Sequence, residues 1–558
     1  MAHSRSAVTP MVVRWLPVVA LLVAWAAAGS AAEPAAAPAT MSWPGDAQLE
    51  AEGARIGSVT IRIRPIFDPE KPGERKAFYR LADRWHIDTR DSAIEAQLLF
   101  QPGDPYSRRV LDETERNLRD LRFIREPMIR VVGYHDGLVD LEVITHDVWT
   151  LNPGVSYGRA GGKDSGSISL EELNLLGFGK QIAIDYRHNV DRNSYTLKWH
   201  DPNVAGSRWR STATLTDSDD GTGQTLNLER PFFSLDTRWS AGISFERDDT
   251  IQNVYRLGHR IAEYQRDLQD ADIHYGWSRG LQDGWTRRRI VGFRHEAAQY
   301  AEEPGSTAPT SLPDDRRLNY PYLRIEGIQD DFATTRNLDQ IARTEDLHFG
   351  MRYALELGWA ATAYGSDRNA ALLRAEASRG FRFGGSRSLF LAGTLTSRIE
   401  GGSPRDALFA GQLRFYRQTS PRSTFFTSLT GEAGHELDAD HELVLGGEDG
   451  LRGYPLRYQT GNRRAVLTIE QRAYTKYSLW NIADVGGAVF IDIGRTWGES
   501  AFGPTLGQGL LKDIGFGLRL GNSKSSLGNV LHFDVAFPLD GDSSISNVQF
   551  LVQTKRTF

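Results

Sequence analysis

The sequence predicts a mainly β protein: an antiparallel transmembrane β-barrel of about 16 strands, preceded by a small α/β domain with the element order β-α-α-β-β. Three observations lead there. A secretory leader comes first, residues 149–558 alternate apolar and polar positions in segment after segment, and an aromatic final strand can close the ring.

Composition permits this reading and excludes others. The 558 residues suffice for more than one domain, and 65 basic against 71 acidic side chains give a formal charge of −6. That balance offers no electrostatic footprint for nucleic acid. The absence of cysteine excludes disulfides, cysteine-based zinc sites and a thiol nucleophile. Mean hydropathy is −0.42, with 55 glycines beside 13 Trp, 19 Tyr and 25 Phe. Strands that alternate lipid-facing and lumen-facing residues average out this way, but so do those of a soluble β-protein.

Arg5 and Arg14 precede the apolar stretch Trp15 to Trp25, and Ser30-Ala31-Ala32 follows as a cleavage site. Charged, apolar, then small is the order of a signal peptide, expected over residues 1–32. The apolar run is short for a membrane anchor, and no later run of 18 apolar residues could form a spanning helix. Residues 33–54, Ala/Pro-rich from Ala35 to Pro44, are expected to be a flexible lead-in.

Residues 55–148 read as the α/β domain. Val59, Ile61 and Ile63 alternate with Thr60, Arg62 and Arg64, a half-buried strand. Ser92 to Phe100 can form a short helix. A second helix starts with Ser107 as its cap, and Leu111, Leu118 and Leu121 recur on it at helical spacing. Two apolar runs, Ile129 to Val132 and Leu138 to Val143, flank the hairpin signal Asp136-Gly137. This order, with Gly103-Asp104-Pro105-Tyr106, resembles a POTRA (polypeptide-transport-associated) domain. The resemblance implies a periplasmic domain that lends a sheet edge to a client or to a periplasmic or inner-membrane partner. A spacer that only closes the barrel mouth is the alternative. Arg80, Arg84 and Arg90 are candidate contacts for a client or lipid head groups, and a solvated face explains them equally well.

From Trp149 onward the alternation is sustained. Trp239, Ala241, Ile243 and Phe245 share one side of their strand; Ile182, Ile184 and Tyr186, Phe516, Leu518 and Leu520, and Leu531, Phe533, Val535 and Phe537 do the same on theirs. Roughly 25 residues per strand and connection gives about 16 strands. Val548, Phe550, Val552 and the terminal Phe558 mark the strand that would close on the first, around Leu151 to Arg159, removing the free edge.

The most specific stretch is Leu445 to Pro455, containing Leu451-Arg452-Gly453-Tyr454, followed by Phe490-Ile491-Asp492-Ile493-Gly494. These resemble the V/L-R-G-F/Y loop motif and the F-x-D-x-G strand motif of outer-membrane protein assembly factors, the BamA/TamA-like superfamily also called bacterial surface antigens. Asn174 to Lys180 and Asp201 to Gly206 resemble that family's early strands and turns. The residues support the same arrangement independently. Phe490, Asp492 and Gly494 take the face opposite Val489, Ile491 and Ile493; Thr468, Glu470 and Arg472 take the face opposite Ala465, Leu467 and Ile469. A loop near 445–455 folded into the barrel would bring Arg452 to Asp492, with Glu470 as second acceptor. Gly450 and Gly453 would permit its tight backbone, and Tyr454 could pack on the Phe490 side of the wall. An ordinary ion pair bracing the wall is the plainer reading of these charges.

The resemblance implies a non-enzymatic insertion or translocation factor in the Gram-negative cell outer membrane. Its partners would be the lipid bilayer and client β-barrel or secreted polypeptides, and it would use no cofactor. A two-partner-secretion exporter and a passive pore or lipid-handling barrel are the alternatives. Many members of the family string several docking domains together, whereas only one is legible here, which points to a specialised member. Gly154-Val155-Ser156-Tyr157-Gly158 spells a hydrolase elbow without the helix that motif requires. His435 and His441 with Asp438 and Asp440 could catch a cation in one loop, but such acidic loops are usually only solvated, so no metal is expected.

Overall fold

The structure, a computed structural model, describes residues 43–66, 87–160, 163–479, 483–502, 509–522, 530–543 and 545–555. The signal-peptide expectation, Arg80, Arg84 and Phe558 lie outside the described residues.

The N-terminal domain comprises α1 (Asp46–Ala51), β1 (Arg55–Arg64), α2 (Asp91–Glu95), α3 (Arg108–Asp120), β2 (Ile124–His135) and β3 (Leu138–Asp147). Its sheet has the order β1-β3-β2, with β1 parallel and β2 antiparallel to the central strand. Helix α3 begins after Ser107 and buries Leu111 and Leu118 against that sheet. The β2–β3 turn places Asp136 at φ 50° and Gly137 at φ 76°, the left-handed pair that a two-residue hairpin needs. The lead-in expectation for 33–54 is corrected at its C-terminal end. Residues 46–51 form α1, because Leu49 inserts fully into the domain core and Tyr106 donates to Asp46 at 2.6 Å.

The wall begins with β4 (Leu151–Ala160), β5 (Lys163–Leu175), β6 (Lys180–His188), β7 (Asn193–Asp201), β8 (Arg210–Ser218), β9 (Gly221–Arg230), β10 (Trp239–Arg256), β11 (His259–Gln282), β12 (Trp285–Glu302) and β13 (Arg316–Gln329). A hairpin of β14 (Phe332–Arg336) and β15 (Thr344–His348) follows, its two strands pairing with each other rather than with the wall. The wall resumes with β16 (Arg352–Ala360), β17 (Ala370–Phe383), β18 (Arg387–Glu400), β19 (Ser403–Ser420) and β20 (Ser423–His435). The next loop carries the short pair β21 (Leu443–Leu445) and β22 (Gln459–Gly461). Strands β23 (Arg463–Leu479), β24 (Ala483–Trp497), β25 (Leu511–Asn522), β26 (Val530–Pro538) and β27 (Gln549–Lys555) complete it.

Among the described residues, twenty strands form the closed antiparallel ring, more than the count expected from sequence. The allowance per strand was too generous. Strands β6 to β9 are only 9 or 10 residues long, and several connections are two-residue turns such as Leu257-Gly258, at φ 52° and 75°.

The two faces of the wall differ as a membrane barrel requires. Val155, Ile184, Ile273, Leu357 and Phe516 point outward and exposed, while His532, Asp534 and Ala536 point inward and buried. Every one of the 18 residues of β10 has a register partner on β11. The first and last strands are joined differently: among the described residues, Phe550↔Arg159 is their one register pair, at the end of the wall away from the N-terminal domain.

That domain is fastened to the near end of the wall. Arg122 grips Glu171 at 2.7 and 3.0 Å, and Arg119 grips Asp346 of β15 at 2.7 and 2.8 Å. Arg90 lies over the Phe178 ring at 4.1 Å and donates to the Leu176 carbonyl at 3.1 Å, so it serves the domain–barrel joint.

Candidate functional site

The loop between β20 and β23 enters the barrel from the far end. Its apolar residues Leu445, Leu451, Tyr454 and Tyr458 pack against Val466 of the wall, Leu511 and Ile545, which is why a loop so rich in glycine keeps one path. Gly450 adopts φ 109°, closed to residues with a Cβ except at a cost. Gly453 has an ordinary φ, but a Cβ there would stand 2.6 Å from that of Asp513, and its N–H donates to Asp513 at 2.9 Å.

This path carries Arg452 into the lumen. Its Nε and Nη2 donate to the two Asp492 oxygens at 2.7 and 3.0 Å, a bidentate fork. Its Nη1 donates to Glu470 at 3.1 Å and to Asp534 at 3.3 Å. The guanidinium plane rests on Phe490, 3.3 Å from the ring centre, with its donors directed at three carboxylates and its face on an aromatic quadrupole. Arg452 is 6% exposed, and the three acceptors less still. Burial of so many charges is tolerable only because each has opposite charge at hydrogen-bonding distance.

The network extends beyond the loop. Arg519 donates to Asp534 at 2.5 Å and to Glu470 at 3.4 Å, and Arg472 donates to Glu470 at 3.1 Å. Arg472 also reaches the β14–β15 hairpin, donating to the Leu338 carbonyl at 2.6 Å and to Asp339 at 3.2 Å. Tyr416 donates to Asp339 at about 3 Å, and Glu345 accepts from the Leu338 and Asp339 amides at 2.8 and 2.9 Å. Leu338 packs on Tyr416 and Phe426 of the inner wall.

The structure therefore brings together Arg452, Asp492, Glu470 and Phe490 of the residues selected from sequence. Gly494 lies under the loop, with Leu445 and Leu451 carbons 3.4 Å from where its Cβ would be. Tyr454 does not pack on Phe490. Arg452 takes that ring, and Tyr454 turns toward Tyr458, its ring 5.8 Å away, while its hydroxyl donates to the Lys512 carbonyl at 2.7 Å. Phe550 points outward on β27; Val548 and Val552 are partly buried. Asp534, Arg519 and the hairpin residue Asp339 were missed. The inward parity of Asp534 was visible in its alternating strand, but its distance of 82 residues from Arg452 hid the contact.

The minor candidates resolve on geometry. Ser156 sits within β4, its Oγ 2.8 Å from that of Ser167, with no strand-turn-helix elbow around it. Asp438 is held by Arg398 at 2.9 and 3.1 Å and Asp440 by Arg316 at 2.9 Å, so the carboxylates of that loop already face guanidinium groups. His441 pairs with Asp406 at 2.8 Å, whereas His435 lies at the end of β20 beside Glu436.

No protein-family model matches the chain. Over 118 residues it is 30% identical to a putative outer membrane protein assembly factor of Treponema pallidum (strain Nichols), a match that covers 20% of this chain and 14% of that relative's length. Among solved structures it is similar to CdiB from Acinetobacter baumannii, at 13% identity and TM-score 0.45 over 90% of this chain and 74% of that one. It is also similar to BamA from Haemophilus ducreyi lacking POTRA domains 1-3, at 14% identity and TM-score 0.37 over 89% of this chain and 84% of that one. Over those 118 residues the chain is similar to an outer-membrane protein assembly factor and spans only a small part of that relative's length, while its loop and strand motifs resemble those of the BamA/TamA-like superfamily.

Proposed function

We propose that the protein is a non-enzymatic insertion or translocation factor of the cell outer membrane, with its N-terminal domain on the periplasmic side. Client β-barrel or secreted polypeptides meet the exposed sheet edges of that domain and enter the bilayer through the seam between β4 and β27. The observation that carries the reading is the seam itself. Among the described residues it has a single register pair, fewer than any other joint of the ring, and an incoming strand can pair with backbone groups at such an edge with little demand on sequence. The loop locked by Arg452 and the hairpin bearing Asp339 occupy the lumen from opposite ends, an arrangement suited to lateral rather than axial passage. No nucleotide is needed, since client folding and transfer into lipid supply the free energy.

The absence of native cysteine makes the test clean. Phe550→Cys and Arg159→Cys together place a disulfide at the seam's register pair. Oxidation is expected to halt client assembly in cells that depend on this protein, and a reductant to restore it. Normal assembly by the fully oxidised protein would remove the seam from the mechanism.

A further inference from the structure

Arg387 on β18 and Arg417 on β19 are register partners. On the same strands Ser388 pairs with Tyr416, and Tyr416 is buried with Phe426 inside the barrel. Side chains alternate across a strand, so Arg387 and Arg417 both face outward, and both are exposed. Like charges directly opposite each other destabilise a sheet. Among the described residues neither guanidinium has an ion pair or a side-chain hydrogen bond. The outward positions around them, 371 to 383 on β17, 389 to 395 on β18, 407 to 415 on β19 and 423 to 431 on β20, hold no Asp or Glu.

The neighbours of the pair define its depth. Phe383 pairs with Arg387 and Phe425 with Arg417, so one transverse row reads Phe-Arg-Arg-Phe. One step toward the middle of the wall, the next outward row reads Phe381, Leu389 and Phe415. Two cations between aromatic rings, with Phe381, Leu389 and Phe415 on one side, the exposed Arg379 one outward row deeper on β17, and the β17–β18 and β19–β20 turns on the other side, match the chemistry of a lipid head-group layer.

We infer that Arg387 and Arg417 form a binding site for the phosphates of anionic phospholipids in the leaflet at the N-terminal-domain end of the barrel. Phosphate between the two guanidinium groups relieves their mutual repulsion and accepts hydrogen bonds from both, while the acyl chains lie along Phe381, Leu389 and Phe415. The site lies on the wall far from the β4–β27 seam and is independent of how clients enter.

Native mass spectrometry of the full-length protein, released from discs of phosphatidylcholine mixed with phosphatidylglycerol or with cardiolipin, tests this. The wild-type protein is expected to retain the anionic lipid over phosphatidylcholine. The double variant Arg387→Gln/Arg417→Gln should lose that retention several-fold, and Arg387→Lys/Arg417→Lys should keep most of it. Arg405→Gln, which removes one cation toward the other end of β19, should have no effect. A glutamine pair that retains anionic lipid as well as wild type overturns the site, as does one that loses only a co-purifying acidic protein. If the double variant fails to fold, as judged by heat-dependent gel mobility, wild type decides alone: equal retention of phosphatidylglycerol and phosphatidylcholine refutes the proposal. Preference for cardiolipin over phosphatidylglycerol supports one two-phosphate head group, and equal preference supports two separate ones.

Discussion

Arg472 of β23 donates to Asp339 of the β14–β15 hairpin at 3.2 Å while its Nε donates to Glu470 at 3.1 Å. Glu470 in turn accepts from Arg452 of the far-end loop at 3.1 Å. Two segments that enter the barrel from opposite ends thus share one charge network, and the hairpin's outer part is gripped by Arg119 of the N-terminal domain. A displacement of that domain has a physical route to the loop.

Arg452→Ala removes the cation that Asp492, Glu470 and Asp534 face. Deleting one partner of a buried ion pair typically costs about 3–5 kcal/mol, here tempered because water can enter the vacated lumen. The barrel is expected to form, since its wall pairing does not involve the loop, while client assembly falls. Arg452→Lys should restore little, because an ammonium can neither fork onto Asp492 nor stack flat on Phe490. Gel mobility and client assembly, measured together, separate the two effects; unimpaired assembly in the alanine variant would detach the loop from function.

Gly453→Ala tests the seating of the loop without touching charge. The added methyl meets the Asp513 Cβ at 2.6 Å, and overpacking of this kind costs about 1–3 kcal/mol. Higher single-channel conductance and faster proteolysis within 436–462 are expected. A conductance equal to wild type would show that the loop tolerates the methyl in place.

Arg119→Ala should loosen the hold of the N-terminal domain on the hairpin. A double-mutant cycle with Asp346→Asn is expected to give a coupling of about 1 kcal/mol, the upper range for a partly exposed pair. Single alanine and asparagine changes that add without coupling would mean that the pair holds nothing.

The far-end loop should also respond to pH. The hydrogen bond from His441 to Asp406 raises the imidazole pKa above its ordinary 6.5, with Asp440 adding to the effect. Asp440 stays ionised: although burial opposes it, the hydrogen bond from Arg316 holds its pKa down at about 2. The folded loop binds the His441 proton more tightly than the unfolded chain. Its contribution is therefore complete below pH 6.5 and is lost as pH rises through the raised value. Proteolysis of the loop should quicken as pH rises above about 6.5, and His441→Gln should flatten that profile.

Much of this was legible in the sequence for a definite reason. The wall has a period of two, and the charges on its inner face at Glu470, Arg472, Asp492 and Asp534 could be assigned a side without knowing any strand's neighbour. Arg452 and Asp492 could be joined because a loop motif and a strand motif both stood out. The stacking of Arg452 on Phe490 could not be read, because it depends on the depth at which the loop enters. The hairpin was hidden because Phe332 to Arg336 and Thr344 to His348 are five-residue strands whose partner is each other rather than the wall. Helix α1 was hidden by the Ala/Pro run before it, since one buried leucine, Leu49, decides its fate.

A ring whose ends, among the described residues, meet in register at one pair, Phe550 and Arg159, has a loosely set shear. Sliding β27 by two residues along β4 would exchange one backbone pair for another and keep Gln549 and Leu551 inside and Phe550 outside. Strand tilt and cylinder width follow from stagger, so such a slide would let the girth change while every other hairpin stays intact.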